Sequence, residues 1–252
     1  MSAPTIAWGE PDQASPSTVD TPHSPEAYGL EVSLRSLVFL AAVTSPRARQ
    51  TSLGGSEAGH ACDRRIAYRL AGTPIVNLRD PLRSIVGIGF HAAMAELFTR
   101  LDAGSGRFLV EVPVAYRGIP GTVDLYDRHE RTVIDWKTKL SAKLRKVRHE
   151  GPSTSYVTQT MLYAAALREQ GEDVRHVALA FVPVDATDLS GMYVWRAPFD
   201  KAIADAAVDR IERLRGRDPS TVEATPDRLC PWCSQYRPGS TDLRVGCPGG
   251  AS

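Results

Sequence analysis

The stretch that most constrains the fold is Gly121–Thr138, GTVDLYDRHERTVIDWKT, which reads as two strands joined by a tight polar turn at Asp127–Arg131. Side chains alternate between the two faces of a strand. Val133, Asp135 and Lys137 therefore share one face, while Ile134 and Trp136 point the other way, into a core. Burying an unpaired carboxylate or ammonium costs several kcal/mol, so Asp135 and Lys137 require each other, a metal ion or a polar cleft. If the hairpin pairs in its simplest register, Asp124 stands beside Asp135. Two carboxylates and a lysine converging on one point suit a divalent cation with a fixed positive charge beside it. Such a site is built for phosphate chemistry.

The rest of the chain has to supply a body for that hairpin. Its 252 residues allow one large domain or two modest ones with a real core, and 42% hydrophobic and 23% charged content is ordinary for a soluble globular protein. A net charge of +1 gives no global basic signature, so any contact with nucleic acid must come from local patches. The N-terminus is polar and proline-rich, unlike a secretory signal, and the longest apolar run, Leu37–Val43, is too short to span a bilayer. No membrane association and a cytoplasmic location are expected. The four cysteines then read as metal ligands rather than disulfides.

In chain order, residues 1–28 are rich in Pro, Ser, Thr and Ala and are expected to be a disordered tail, with residues 29–252 forming a single domain. Leu30–Val43 looks helical. A helix is expected from about Cys62, with Ile66 and Leu70 on its apolar face and Gly72 ending it. The next helix covers roughly Pro81–Leu101, with Phe90, Met94, Leu97 and Leu101 as its buried stripe and His91 on the flank of that stripe. Phe108–Tyr116 alternates as a strand, placing Phe108, Val110, Val112, Val114 and Tyr116 on one face and Glu111 on the other. The connector after the hairpin carries Lys139, Lys143, Arg145, Lys146 and Arg148, which suit either a solvated loop or a patch that binds a phosphate backbone. Ser153–Gln170 is a long helix with Gln159 and Tyr163 on one face, followed by strands at Val174–Val184 and Gly191–Ala197 and a helix at Phe199–Leu214. The core order is thus αβββαβ in a mixed α/β (α+β) fold.

The motifs Gly121-Thr-Val-Asp124, Asp135-Trp-Lys137 and Gln159-Thr-Met-Leu-Tyr163, preceded by His91, occur in the order and on the elements of the PD-(D/E)XK nuclease superfamily. More narrowly the set resembles the RecB-like and CRISPR-associated iron–sulfur exonucleases, with a restriction-endonuclease-like αβββαβ core, a helical N-terminal part and a C-terminal iron–sulfur staple. The resemblance spans about Ser52 to Cys247. It implies that His91, Asp124, Asp135 and the backbone carbonyl of Trp136 hold Mg²⁺ or Mn²⁺, with the histidine favouring Mn²⁺. It also implies that Lys137 orients or deprotonates the attacking water, and that Gln159 and Tyr163 position DNA or the lysine. Glu111 is a further candidate for the surroundings of the ion.

The cysteines carry the narrower part of the resemblance. Cys62 lies far upstream of Cys230-Pro-Trp-Cys233 and Cys247, in the manner of a [4Fe–4S] cluster that ties the N-terminal segment to the C-terminus. Thirteen residues separate Cys233 from Cys247, a longer gap than is usual there, so Cys₄ zinc stays open as the alternative. The implied function is a metal-dependent DNA exonuclease, acting on single strands in preference to duplex. Its settings would be recombination or repair, phage DNA metabolism or CRISPR adaptation, with helicase, recombination or adaptation proteins as partners. The alternative is a nucleic-acid-binding adaptor on a nuclease fold within a spacer-acquisition complex.

Overall fold

The computed structural model describes residues 25–45 and 53–249. The expected tail lies outside the described residues as far as residue 24, and from Pro25 the backbone is already helical: α1 runs Pro25–Val43 and so starts before Leu30. The chain divides into two units, Met1–Ala41 and Ala42–Ser252. Within the first, Glu31 and Arg35 pair at 3.6 Å one helical turn apart.

The second unit opens with a short helix, α2 (Gly55–Ala58), and with α3 (Asp63–Leu70). Ile66 is buried and Leu70 partly so, as their spacing predicts, and Gly72 ends the run at φ 65°, where a glycine costs least. Then follow α4 (Leu82–Asp102), β1 (Phe108–Tyr116), β2 (Ile119–Asp127) and β3 (Thr132–Lys139). After them come α5 (Ser141–Glu150), α6 (Thr154–Glu169), β4 (His176–Pro183), β5 (Tyr193–Pro198) and α7 (Lys201–Leu214). The αβββαβ order holds. The one addition is α5, since the basic stretch expected as a connector folds as a helix anchored by the buried Leu144. Among the described residues no helix is long and apolar enough to cross a membrane.

The sheet order is β1-β2-β3-β4-β5, antiparallel throughout except for β3 and β4, which run parallel. Parallel neighbours cannot be joined by a tight turn, and α5 with α6 makes the crossover. On one face α6 and α7 pack against Val114, Tyr116, Val123, Val133 and Val177 to form the main core. Residues Thr158–Leu167 of α6 are all buried, which explains its run Ala164-Ala165-Ala166: a helix covered on every side needs small residues where neighbours come close. On the other face Phe90, Met94 and Phe98 of α4 pack on Leu125, Trp136, Ala180 and Val182. Both faces of β3 are therefore covered.

Two expectations about burial are corrected. The inner row of α4 is Phe90–Met94–Phe98, with Phe98 edge-on to Phe108 at 5.2 Å; Leu97 and Leu101 turn outward and are 46% and 65% exposed. In β1 the alternation breaks at Glu111. Phe108 and Val110 face α4, whereas Val112, Val114 and Tyr116 face the main core. The β1–β2 ladder skips the position where Glu111 would meet Asp124, and Glu111 has a left-handed backbone with φ 51°. A single residue in that conformation turns the strand and resets which face the following side chains occupy.

The outward turn of Leu97 is open to measurement. Phe98→Ala should lower the unfolding free energy by about 2–4 kcal/mol, whereas Leu97→Ala should stay within about 0.5 kcal/mol of the parent, read by urea denaturation.

Candidate active site

The site forms where β2 and β3 part. Their ladder pairs Asp127 with Thr132, Tyr126 with Val133 and Leu125 with Ile134, and goes no further. At the next step the carboxylate of Asp124 replaces the ladder: its Oδ2 accepts a hydrogen bond from the Trp136 backbone N–H at 2.8 Å. Its Oδ1 lies 3.3 Å from Nδ1 of His91, which α4 delivers from the opposite face of the sheet. The hydrogen bond to Asp124 raises the pKa of His91 against the opposing effect of burial.

Glu111 joins this pair. The ligand atoms of His91, Glu111 and Asp124 all lie within 4.8 Å of one another, a spacing that one cation can bridge. The strained backbone of Glu111 falls at the point where β1 passes this group, a common place for strain to be stored. Sequence reasoning gave Glu111 only a marginal part. The signal available was an acidic residue in a strand of otherwise apolar, alternating residues.

Asp135 lies deeper, at 1% exposure. Lys137 Nζ pairs with its Oδ2 at 2.5 Å, and among the described residues no other group donates a hydrogen bond to either carboxylate oxygen. Burial pushes the Asp135 pKa up to about 6; the Lys137 charge opposes the rise and the Asp124 charge adds to it. A buried carboxylate with lone pairs that Lys137 leaves unused is suited to a cation, so the residues present fit a divalent ion.

The same-face placement of Asp135 and Lys137 leads on to α6. Lys137 Nζ donates to Gln159 Oε1 at 3.2 Å and sits over the Tyr156 ring, 4.8 Å from its centroid. Gln159 Nε2 in turn donates to the Tyr163 hydroxyl at 3.1 Å, and burial pushes the Tyr163 pKa up to about 12. The ring of Tyr163 occupies the space where a Cβ on Gly121 would stand, 2.1 Å from its Cε1, and likewise 2.6 Å from a Cβ on Gly55. Gly121 is therefore a glycine because Tyr163 lies against it. Two sequence motifs some forty residues apart are in physical contact.

The expected basic residues separate into two groups. Lys139 Nζ donates to the Tyr156 hydroxyl at 2.9 Å and Arg148 donates to the Gly191 carbonyl at 2.7 Å, so both are held by the fold. Lys143, Arg145 and Lys146 stand exposed on α5, with Lys146 3.4 Å from Glu150.

The four cysteines come together. Cys62, Cys230, Cys233 and Cys247 line one cavity of about 30 Å³, more room than one water requires, with Tyr68, Arg64 and His60 in its wall. Arg64 Nη1 is 3.8 Å from Cys247 Sγ, the Tyr68 hydroxyl donates to the Leu243 carbonyl, and burial raises the Cys233 pKa. Among the described residues no three of these sulfurs lie within 4.8 Å of one another. In a tetrahedral zinc site, with Zn–S near 2.3 Å, they would stand about 3.8 Å apart.

A sheet flanked by helices, with carboxylates, a histidine and a lysine gathered where two central strands diverge, is an arrangement suited to metal-assisted chemistry on phosphodiesters. A model of the PD-(D/E)XK nuclease superfamily matches residues 91–237, more than half of the chain, and the chain belongs to that superfamily. Nucleases of this superfamily use divalent metal ions. The matched span begins at His91 and includes Cys230 and Cys233, leaving Cys62 and Cys247 outside it. No curated protein matches the sequence. Among solved structures the chain is similar to an alkaline exonuclease, LHK-Exo from Laribacter hongkongensis, at 12% identity and a TM-score of 0.44, covering 67% of this chain and 88% of that one. It is similar to SSO0001 at 17% identity and a TM-score of 0.46, covering 82% and 92% respectively. A phage-related exonuclease from Haemophilus somnus 129PT gives 14% identity and a TM-score of 0.35, covering 65% and 92%.

Two outcomes follow from this geometry. Gly121→Ala should push Tyr163 aside, lowering the unfolding free energy by about 1–3 kcal/mol, as overpacking does, and cutting activity; Tyr163→Leu in the same background should restore much of the stability, measured by urea denaturation. The second concerns pH. Because the folded pKa of Asp135 is raised to about 6 from 3.8, the neutral acid is the favoured buried form, and its contribution is lost as pH rises from about 4 to 6. In EDTA, the stability of the parent relative to Asp135→Asn should therefore fall across that window and level off above it.

Proposed function

We propose that this protein is a metal-dependent DNA exonuclease whose catalytic groups are Asp124, Asp135, Lys137, His91 and Glu111, with Gln159 and Tyr163 positioning the lysine. The observation that carries this reading is the buried Asp135 carboxylate, met among the described residues by the Lys137 ammonium and by no other donor. A protein that only bound nucleic acid would gain nothing from retaining such a group. His91, Glu111 and Asp124, with Asp135 and the Trp136 carbonyl beside them, would hold Mg²⁺ or Mn²⁺. When bound, that ion neutralises phosphate charge and lowers the pKa of water at the scissile bond.

Lys137 orients the attacking water and stabilises the charge that builds on the phosphate. Its aim is set by the Gln159 carbonyl oxygen and the Tyr156 ring, so the ammonium needs little reorganisation as the reaction proceeds. Lys143, Arg145 and Lys146 offer charge to the DNA backbone from α5. The motif set implies action in recombination, repair, phage DNA metabolism or CRISPR adaptation.

For the cysteine centre we propose a [4Fe–4S] cluster rather than zinc. Support comes from four thiols around one cavity, no three of them mutually within 4.8 Å. The cluster would join Cys62 at the start of α3 to the C-terminal segment and so close a very long loop.

The test is digestion of end-labelled single- and double-stranded DNA with Mn²⁺, Mg²⁺ or EDTA. The parent should degrade DNA from its ends only with metal, and Lys137→Ala should lose at least about a hundredfold in rate while binding DNA as before. Cleavage by Lys137→Ala at the parent rate would overturn the assignment. Anaerobically purified protein should be brown, and each of the four cysteine variants should lose the colour. A colourless protein holding one zinc would overturn the cluster and leave the nuclease reading in place.

A further inference from the structure

We infer that Trp232, Arg79 and Arg83 form a stacking platform for an unpaired base of single-stranded nucleic acid, from which the strand runs along α4 to the site at His91. The inference rests on the nuclease reading for its substrate class and stands on separate residues. Trp232 lies between Cys230 and Cys233 and is 51% exposed, a large indole left open on a surface where burial would be expected. The guanidinium of Arg79 lies 3.7 Å from its ring centroid and that of Arg83 5.9 Å away.

The arrangement is built rather than incidental. The Val76 and Asn77 backbone N–H groups both donate to the Ser234 carbonyl at 3.0 Å. The Asn77 side chain donates to the Pro231 and Cys233 carbonyls at 3.0 and 2.9 Å. Four hydrogen bonds thus stitch the segment before Arg79 to the loop that carries Trp232.

The charge has no counter-ion among the described residues. Among the described residues neither Arg79 nor Arg83 has a carboxylate within ion-pair distance, and the adjacent Asp80 is engaged by the Leu82 N–H at 2.9 Å. Burial lowers the Arg79 pKa, and the charges of Arg83 and of a third guanidinium, Arg65, add to that effect. Cations without counter-charges among the described residues, gathered around a half-exposed indole that Arg79 covers on one face, suit a phosphate backbone with a base on the ring's other face. A duplex hides its base faces within the stack, so the chemistry selects an unpaired strand.

The path to the catalytic site is laid out by α4. Arg83, Gly87 and His91 follow one another four residues apart, on one helical row, and span about 12 Å. A Cβ on Gly87 would meet nothing within 4 Å, so the row is open between the arginine and the histidine. A strand held at Trp232 and Arg83 has a clear course to the carboxylates.

The test is fluorescence anisotropy of labelled oligo(dT) and of a duplex of equal length, in EDTA so that nothing is cleaved. Trp232→Ala should bind oligo(dT) about tenfold more weakly and Trp232→Phe within about threefold of the parent, with duplex binding unchanged in both. Equal losses on duplex, or no loss for Trp232→Ala, would overturn the platform. Should Trp232→Ala disturb the cysteine centre, judged by its metal content, the variant Arg79→Gln/Arg83→Gln decides: its slope of log K against log salt should be shallower by about 1.4. An unchanged slope would overturn the proposal. Trp232-dependent binding by a parent that cleaves nothing would sink the nuclease reading and keep the platform; cleavage with no dependence on Trp232 would do the reverse.

Discussion

The structure depends on how it keeps a carboxylate buried at Asp135. A carboxylate at that depth must be offset when it ionises, and the chain sets the Lys137 ammonium against it. That choice propagates outward. Lys137 has to be held in turn, by the Gln159 carbonyl oxygen and the face of Tyr156; Gln159 is held by Tyr163; and Tyr163 requires glycine at positions 121 and 55. One electrostatic constraint thus fixes residues on α2, β2, β3 and α6, and it explains why α6 is buried along most of its length.

A second constraint comes from the sheet. The central strand β3 stays paired with β4 through Asp135 and Lys137, and the ladder opens only on its other side. β2 and β3 part after Leu125 and Ile134, and β1 loses its pairing at Glu111, at the same level. The broken ladder leaves backbone groups to be satisfied, and Asp124 does so for the Trp136 N–H. Irregularity and chemistry therefore coincide. The strain at Glu111 is the local cost of bringing its carboxylate beside His91 and Asp124.

The cysteine centre and the Trp232 surface share a loop, which ties two roles together. The backbone pairing between residues 76–77 and Ser234 that seats Arg79 also holds the loop carrying Cys233. A bound metal centre would stiffen that loop and with it the approach to α4. The N-terminal and C-terminal parts of the second unit are joined there without a disulfide, all four cysteines being free thiols.

By itself the sequence determined the order of elements and the identity of the central strands, because period-two and helical patterns are local and strong in β1–β4 and α6. It also determined that Asp135 and Lys137 share a face, since alternation along one strand needs no tertiary knowledge, and that the four cysteines were to be read together. The tertiary structure alone decided three things. Glu111 entered the site because a left-handed residue cancels the alternation that a strand pattern assumes, and no local signal reports a positive φ at glutamate. Leu97 and Leu101 turned outward because the partner of α4 is the narrow patch around Trp136, so Phe98 took the inner position instead. Lys139 and Arg148 were withdrawn from the basic face because Tyr156 and the Gly191 carbonyl, distant in sequence, lay within reach of their charges.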